Sequence, residues 1–191
     1  LDSLDKAQRI NENISEIYFA KSNIYLKISQ LQNAKTALET GLRIEPNNHN
    51  AIFQLGNIFL KEKNYLEAIK LFDKSIQIKP DFWQAINNKG LAYFEKNNIN
   101  LSIKLFEKAI SIQNNAEPLL GLASCLRIKD IKLALQYAKK ALIKDPNYVS
   151  YDYREEQLWG EKLQISTQIL LQNEQLQTDV ILAKSKINSS S

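Results

Sequence analysis

Apolar residues recur along most of this chain at three- and four-residue spacing, the signature of amphipathic helices rather than the strict alternation of a half-buried strand. Ile52, Leu55, Phe59, Ala68, Phe72 and Ser75 follow this spacing between two short polar turns. They predict one helix over roughly Asn50–Lys61 and another over roughly Tyr65–Gln77. The turns Lys63-Asn64 and Asn97-Asn98 punctuate the pattern, and Pro with Asn or Asp closes three of its four periods. β-Branched Ile is common, yet no strand-like alternation persists. The chain reads as all-α.

The helical pattern itself repeats. Pro46 and Pro80 lie 34 residues apart, and the segments ending at them superpose. Phe19, Asn23, Tyr25, Ala34, Leu38, Gly41 and Ile44 fall under Phe53, Asn57, Phe59, Ala68, Phe72, Ser75 and Ile78. The next period supplies Asn87, Leu91, Tyr93, Ser102, Phe106, Ala109 and Ile112, ending at Asn114. A fourth, shortened to 32 residues, runs through Leu120, Gly121, Ala134, Ala138 and Ala141 to Pro146.

This pattern resembles the tetratricopeptide repeat (TPR). The second period carries Ile52, Leu55-Gly56, Phe59, Ala68, Phe72, Ser75 and Pro80 at that family's motif positions. Departures are Ser22 for Gly in the first repeat, Asn114 for Pro in the third, and the shortened fourth. The resemblance implies a right-handed α-solenoid of helix–turn–helix units with repeats at 15–48, 49–82, 83–114 and 115–146. Gly inside a helix costs about 1 kcal/mol relative to Ala. Gly56, Gly90 and Gly121 are therefore expected where the first helix of a repeat touches a small residue of the second. The implied pairs are Ser22/Ala34, Gly56/Ala68, Gly90/Ser102 and Gly121/Ala134.

The ends depart from the period. Residues 1–14 align with the second helix of a repeat, because Leu1–Ile10 matches Ile69–Ile78. An orphan half-repeat leaves an apolar face uncovered, so the chain is expected to be a fragment of a longer array. After Pro146 one longer helix is expected over 148–171, with Val149, Leu158, Trp159, Leu163, Ile165, Ile169 and Leu170 as its apolar set. A second is expected over about Leu176–Ile187, and both would cap the last repeat. Residues 188–191 read as a disordered tail. The alternative use of this region is a partner or dimer contact through Tyr148, Tyr151, Tyr153 and Trp159, since aromatics are enriched at binding hot spots.

Composition narrows the function classes. Ile, Lys and Asn supply about a third of the 191 residues, a bias that an AT-rich genome produces without functional selection. The net charge is +4, without any block of five like charges, so neither nucleic acid nor a membrane surface is an expected partner. One Cys and one His exclude a disulfide framework and a His/Cys zinc site. No apolar run suffices to span a bilayer and no signal peptide is recognisable, so a cytoplasmic location is expected.

Chemistry is sparse. His49 sits in a turn beside Asn47, Asn48 and Asn50 and reads as a helix-start residue. Cys125 lies on an apolar helix, where free Cys acts as a small hydrophobe. Glu155-Glu156 has no metal-ligand partner at useful spacing, and no phosphate loop or nucleophile elbow occurs. No enzymatic activity and no cofactor are expected.

The resemblance implies a concave face lined by the first helix of each repeat, presented to a peptide or protein. The register places Phe19, Asn23, Leu26, Phe53, Asn57, Leu60, Gln84, Asn87, Leu91 and Phe94 there. The triplet Phe-x-x-x-Asn-x-x-Leu recurs unchanged one period later. Its carboxamides can donate to and accept from an extended backbone, and its apolar members can take side chains. Some TPR proteins clamp the C-terminal carboxylate of a chaperone with Lys, Asn and Arg. Here Asn57 and Asn88 occupy both Asn places in one alignment, but Phe53 replaces the first Lys and no basic residue appears around Ala116–Leu120. In the other alignment the basic places hold Phe19, Gln84 and Asn88. A chaperone carboxylate clamp is therefore not expected. The function expected is a non-catalytic interaction scaffold. Two alternatives stand beside it: an accessory region of a larger enzyme, such as a glycosyltransferase or methyltransferase, and an assembly factor for a membrane complex of the photosystem type.

Overall fold

The computed structural model describes residues 1–189, which form two compact units. The first, Leu1–Pro80, holds α1 (Asp2–Ile10), α2 (Ser15–Lys27), α3 (Leu31–Ile44), α4 (His49–Lys61) and α5 (Tyr65–Ile78). α2 with α3, and α4 with α5, form antiparallel hairpins, and α3 packs on α4. Their interfaces bury Ala34, Leu38, Ala51, Leu55 and Ile58, with Tyr25, Leu42 and Phe59 packed around them. α1 lies against α2, tied to it by Lys21, whose ammonium meets Asp5 and Gln8.

The second unit begins at Asp81. It holds α6 (Trp83–Glu95), α7 (Ile99–Ile112), α8 (Ala116–Leu126) and α9 (Ile131–Lys144), again as two hairpins. A 3₁₀ turn (Pro146–Val149), α10 (Tyr151–Glu156), α11 (Glu161–Leu171), a second 3₁₀ turn (Glu174–Leu176) and α12 (Gln177–Ser189) follow.

The turn inside three hairpins has one repeated chemistry. Ser29, Lys63 and Asn97 adopt φ near 60° and stand 34 residues apart. The next N–H reaches back to close the helix end, from Gln30 to Tyr25, Asn64 to Phe59 and Asn98 to Tyr93 carbonyls. Asn64 and Asn98 then cap the following helix through their side chains. Asn48 does the same for α4 and Asp130 for α9. Asn abundance at these turns therefore has a local physical use, whatever the genome contributes.

The helical glycines are pressed against aromatic rings. A Cβ on Gly56 would lie 2.7 Å from Phe72, and one on Gly90 would lie 3.0 Å from Phe106. Gly121 also faces Phe106, which belongs to the preceding hairpin. The small-residue pairing expected from sequence holds at Gly90, whose carbonyl accepts from Ser102 Oγ at 2.9 Å. At Gly56 the close neighbour is Phe72, the ring one turn beyond Ala68, and at Gly121 it is Phe106 of the preceding hairpin.

Two expectations for the C-terminal region are corrected. The single helix over 148–171 is broken: α10 ends at Glu156, Leu158 takes φ 66°, and a new helix starts at Glu161. Of the tail residues, Asn188 and Ser189 are helical within α12, and Ser190 and Ser191 lie outside the described residues.

Candidate functional site

The residues expected on the concave face have different surroundings in the two units. In the first, α2 presents Phe19, Asn23 and Leu26, and α4 presents Phe53, Asn57 and Leu60. Asn23 is exposed; Phe19, Leu26, Phe53 and Asn57 are half-buried. Leu60 is buried. The Phe19 ring covers Gly41 on α3, and Phe53 packs beside Phe72 with ring centroids 5.9 Å apart. Each Phe is thus rooted in its own hairpin, and the carboxamide one turn later is exposed at Asn23 and half-buried at Asn57.

In the second unit the corresponding positions are covered. Asn87, Leu91 and Phe94 on α6 are buried, and Gln84 is half-buried. What covers this face is the chain itself, because α11 packs on α6 and α8. The seating is specific. Glu95, at the last turn of α6, accepts the backbone N–H of Lys162 at 3.3 Å and of Leu163 at 3.0 Å. Its carboxylate satisfies donors that the start of α11 cannot pair within the helix. Lys162 Nζ donates to the Glu95 carbonyl at 2.7 Å and to Asn97 Oδ1 at 3.1 Å. Further along, Ser124 and Thr167 hydroxyls meet at 2.7 Å, and Ser166 Oγ donates to the Ser124 carbonyl at 2.9 Å. Gly160 leaves no room for a side chain, since Glu95 occupies the space that a Cβ would take.

The expected C-terminal aromatics divide. Tyr148 and Trp159 are buried, Tyr153 is half-buried and Tyr151 is exposed. Tyr148 stacks edge-on against Tyr153 at 5.0 Å and lies 6.1 Å from Trp159. Trp159 Nε1 donates to Glu117 on α8 at 3.1 Å. Burial pushes the Glu117 carboxyl up to about 7, against opposing hydrogen bonds from Trp159, Asn87 and Tyr148. Asn87 Nδ2 donates to Asn88 Oδ1 at 3.0 Å, while its own Oδ1 is buried without a partner.

Sequence reasoning passed over two residues that organise this region. Arg154 is fully buried: Nε donates to Gln164 Oε1 at 2.8 Å and Nη1 to the Tyr148 carbonyl at 2.7 Å. Burial lowers its pKa to about 10. Glu95 is the other. A charged residue in a helical period is by default a solvated one, so neither gives a signal in one sequence. No group of three metal-ligating side chains occurs among the described residues. No helix among them is long and apolar enough to cross a membrane.

Known proteins share this architecture. Among solved structures, MamA is 20% identical, with a TM-score of 0.67 over 81% of this chain and 86% of that one. Pseudomonas aeruginosa PilF is 17% identical, with a TM-score of 0.69 over 97% and 80%. YrrB, described as a TPR protein with an unusual peptide-binding site, is 16% identical, with a TM-score of 0.66 over 95% and 97%. No curated protein matches the chain by sequence. Tetratricopeptide repeat profiles match residues 15–48, 49–82 and 84–115. With those matches spanning just over half the chain, and hairpin following hairpin at the same period, the chain belongs to the tetratricopeptide repeat family.

Proposed function

We propose that this chain is a non-catalytic protein-interaction scaffold whose first unit holds an extended, uncharged peptide segment against α2 and α4. The observation that carries the reading is the repeated Phe–Asn–Leu ladder, in which aromatic rings rooted in their hairpins stand beside carboxamides, exposed at Asn23 and half-buried at Asn57. An extended backbone carries alternating donors and acceptors, and a carboxamide offers both. The peptide-binding site named for YrrB, on the same fold, supports the reading by analogy. A cytoplasmic setting suits the lone cysteine, Cys125, a buried free thiol.

Selection of a displayed library of random dodecapeptides on the whole chain tests this. Asn23→Ala with Asn57→Ala is expected to reduce capture of the selected peptides at least tenfold while helicity stays unchanged. Capture should weaken little between low and moderate salt, because the ladder is uncharged. Capture indifferent to both substitutions removes the ladder as the binding face.

A further inference from the structure

A cavity of about 440 Å³ opens in the second unit where the ends of α6 and α8 meet α11. It lies at the hairpin-turn edge, beside the face that α11 covers. Its walls are apolar, from Phe94, Ile99, Cys125, Ile128 and Ile165. Ile128 is 82% exposed and Ile165 54%, so the apolar surface continues from the mouth onto the outside of the molecule. Scattered exposed apolar residues are ordinary, but two large ones bordering one cavity form a patch that a partner can cover.

The rim is cationic. Arg127, Lys129 and Lys162 come from the α8–α9 turn and from α11. Their side chains meet neutral oxygens: Arg127 Nε donates to Ser166 Oγ at 3.3 Å, Lys129 Nζ to Asn100 Oδ1, and Lys162 Nζ to the Glu95 carbonyl and Asn97 Oδ1. Glu95, whose carbonyl Lys162 meets, spends both carboxylate oxygens on the α11 backbone. Three cations thus border an apolar opening, and among the described residues their hydrogen bonds go to neutral oxygens.

We infer that this cavity is a second peptide-docking site, taking one bulky apolar side chain from a segment with acidic residues on either side of it. The volume falls in the range of small-molecule sites, enough for one aromatic or branched side chain and its immediate backbone. Exposed Ile128 and Ile165 favour a ligand that continues beyond the cavity over a compact free anion. The site is separate from the α2–α4 ladder and stands or falls without it.

The test is selection on the whole chain of a displayed decapeptide library with a fixed central Trp and all other positions random. Asp and Glu are expected to be enriched around the Trp. Ile128→Asp with Lys129→Glu, both at the exposed turn, should cut capture of the enriched peptides at least tenfold at unchanged helicity. Asn23→Ala with Asn57→Ala should leave that capture intact, which separates this site from the ladder. The same peptides should slow alkylation of Cys125, the single thiol, which lines the cavity. Enrichment without acidic flanks, or capture indifferent to Ile128→Asp/Lys129→Glu, overturns the inference. So does loss, in that variant, of binding to phosphatidylglycerol vesicles in place of peptide, which would give the patch to a membrane.

Discussion

The indole N–H of Trp159 donates to the carboxyl of Glu117 across 3.1 Å, joining the segment after α10 to the first turn of α8. The carboxyl is enclosed enough that burial raises its pKa from 4.5 to about 7. A raised acid is favoured in its protonated form by the fold. Its contribution is therefore complete below about pH 4.5 and is lost as pH rises to about 7. That loss is at most about 3.5 kcal/mol, and less because the half-buried side chain stays partly screened by solvent. Urea unfolding across this window should show stability falling with pH in the wild type relative to Glu117→Gln. Parallel curves for the two proteins would show that Glu117 does not titrate in this range.

Gly160 is a test of how α11 is seated. An added methyl group meets the Glu95 side chain, which two backbone N–H groups of α11 hold in place. Gly160→Ala should therefore destabilise the C-terminal unit by about 1–3 kcal/mol, the usual cost of overpacking. Amide exchange of Leu91 and Phe94 should accelerate more than that of α2. Unchanged exchange on α6 would mean that α11 accommodates the methyl without moving.

At Gly56 two effects of opposite sign compete. Ala is the better helix former by about 1 kcal/mol. Its methyl, however, would sit 2.7 Å from the ring of fully buried Phe72. Overpacking costs about 1–3 kcal/mol, so Gly56→Ala should be destabilising on balance. Adding Phe72→Leu should make the glycine replacement cheaper than in the wild-type background. A double-mutant cycle reads this coupling directly.

Arg154 separates two ways of losing a buried ion. Gln164→Leu leaves the guanidinium in place with one acceptor fewer, and its Nη2 already has no partner. Arg154→Met removes the charge and fills much of the same volume. Thermal unfolding should therefore rank Gln164→Leu as the more damaging, by about 1 kcal/mol or more. The reverse order would show that the guanidinium contacts outweigh the cost of burying it.

The repeating part of the fold was legible because each residue in it answers to local rules. The apolar spacing, the polar turns and the proline ends all point to hairpins. Even the left-handed turn recurs without glycine, at Ser29, Lys63 and Asn97. Replacing Lys63 by Gly should stabilise the first unit by up to about 1 kcal/mol, since glycine takes that backbone without strain. The C-terminal region was not legible in the same way. Ile165 and Ile169 belong to an apolar set with a helical period, yet they face outward, while Gln164 and Thr167 face inward. Polar positions on α11 are matched to hydroxyls and carbonyls of α8 and to Arg154, partners 10 to 43 residues distant in sequence. The break at Leu158 carries no glycine or proline at the strained residue itself. For the candidate ladder, sequence could name Phe19, Asn23, Phe53 and Asn57, but could not tell that Asn87 and Leu91 are covered.

That cover changes what the C-terminal unit can receive on its α6–α8 face. α11 reaches α8 through the same chain, by way of α9 and α10, so its contact with that face is intramolecular and any free segment has to displace it. A free segment would reach the bare face only when α11 lifts from it. The two units therefore differ in what they leave open: Asn23 and half-buried Asn57 keep a path to any visiting chain in the first, whereas the matching positions of the second already have α11 as their neighbour.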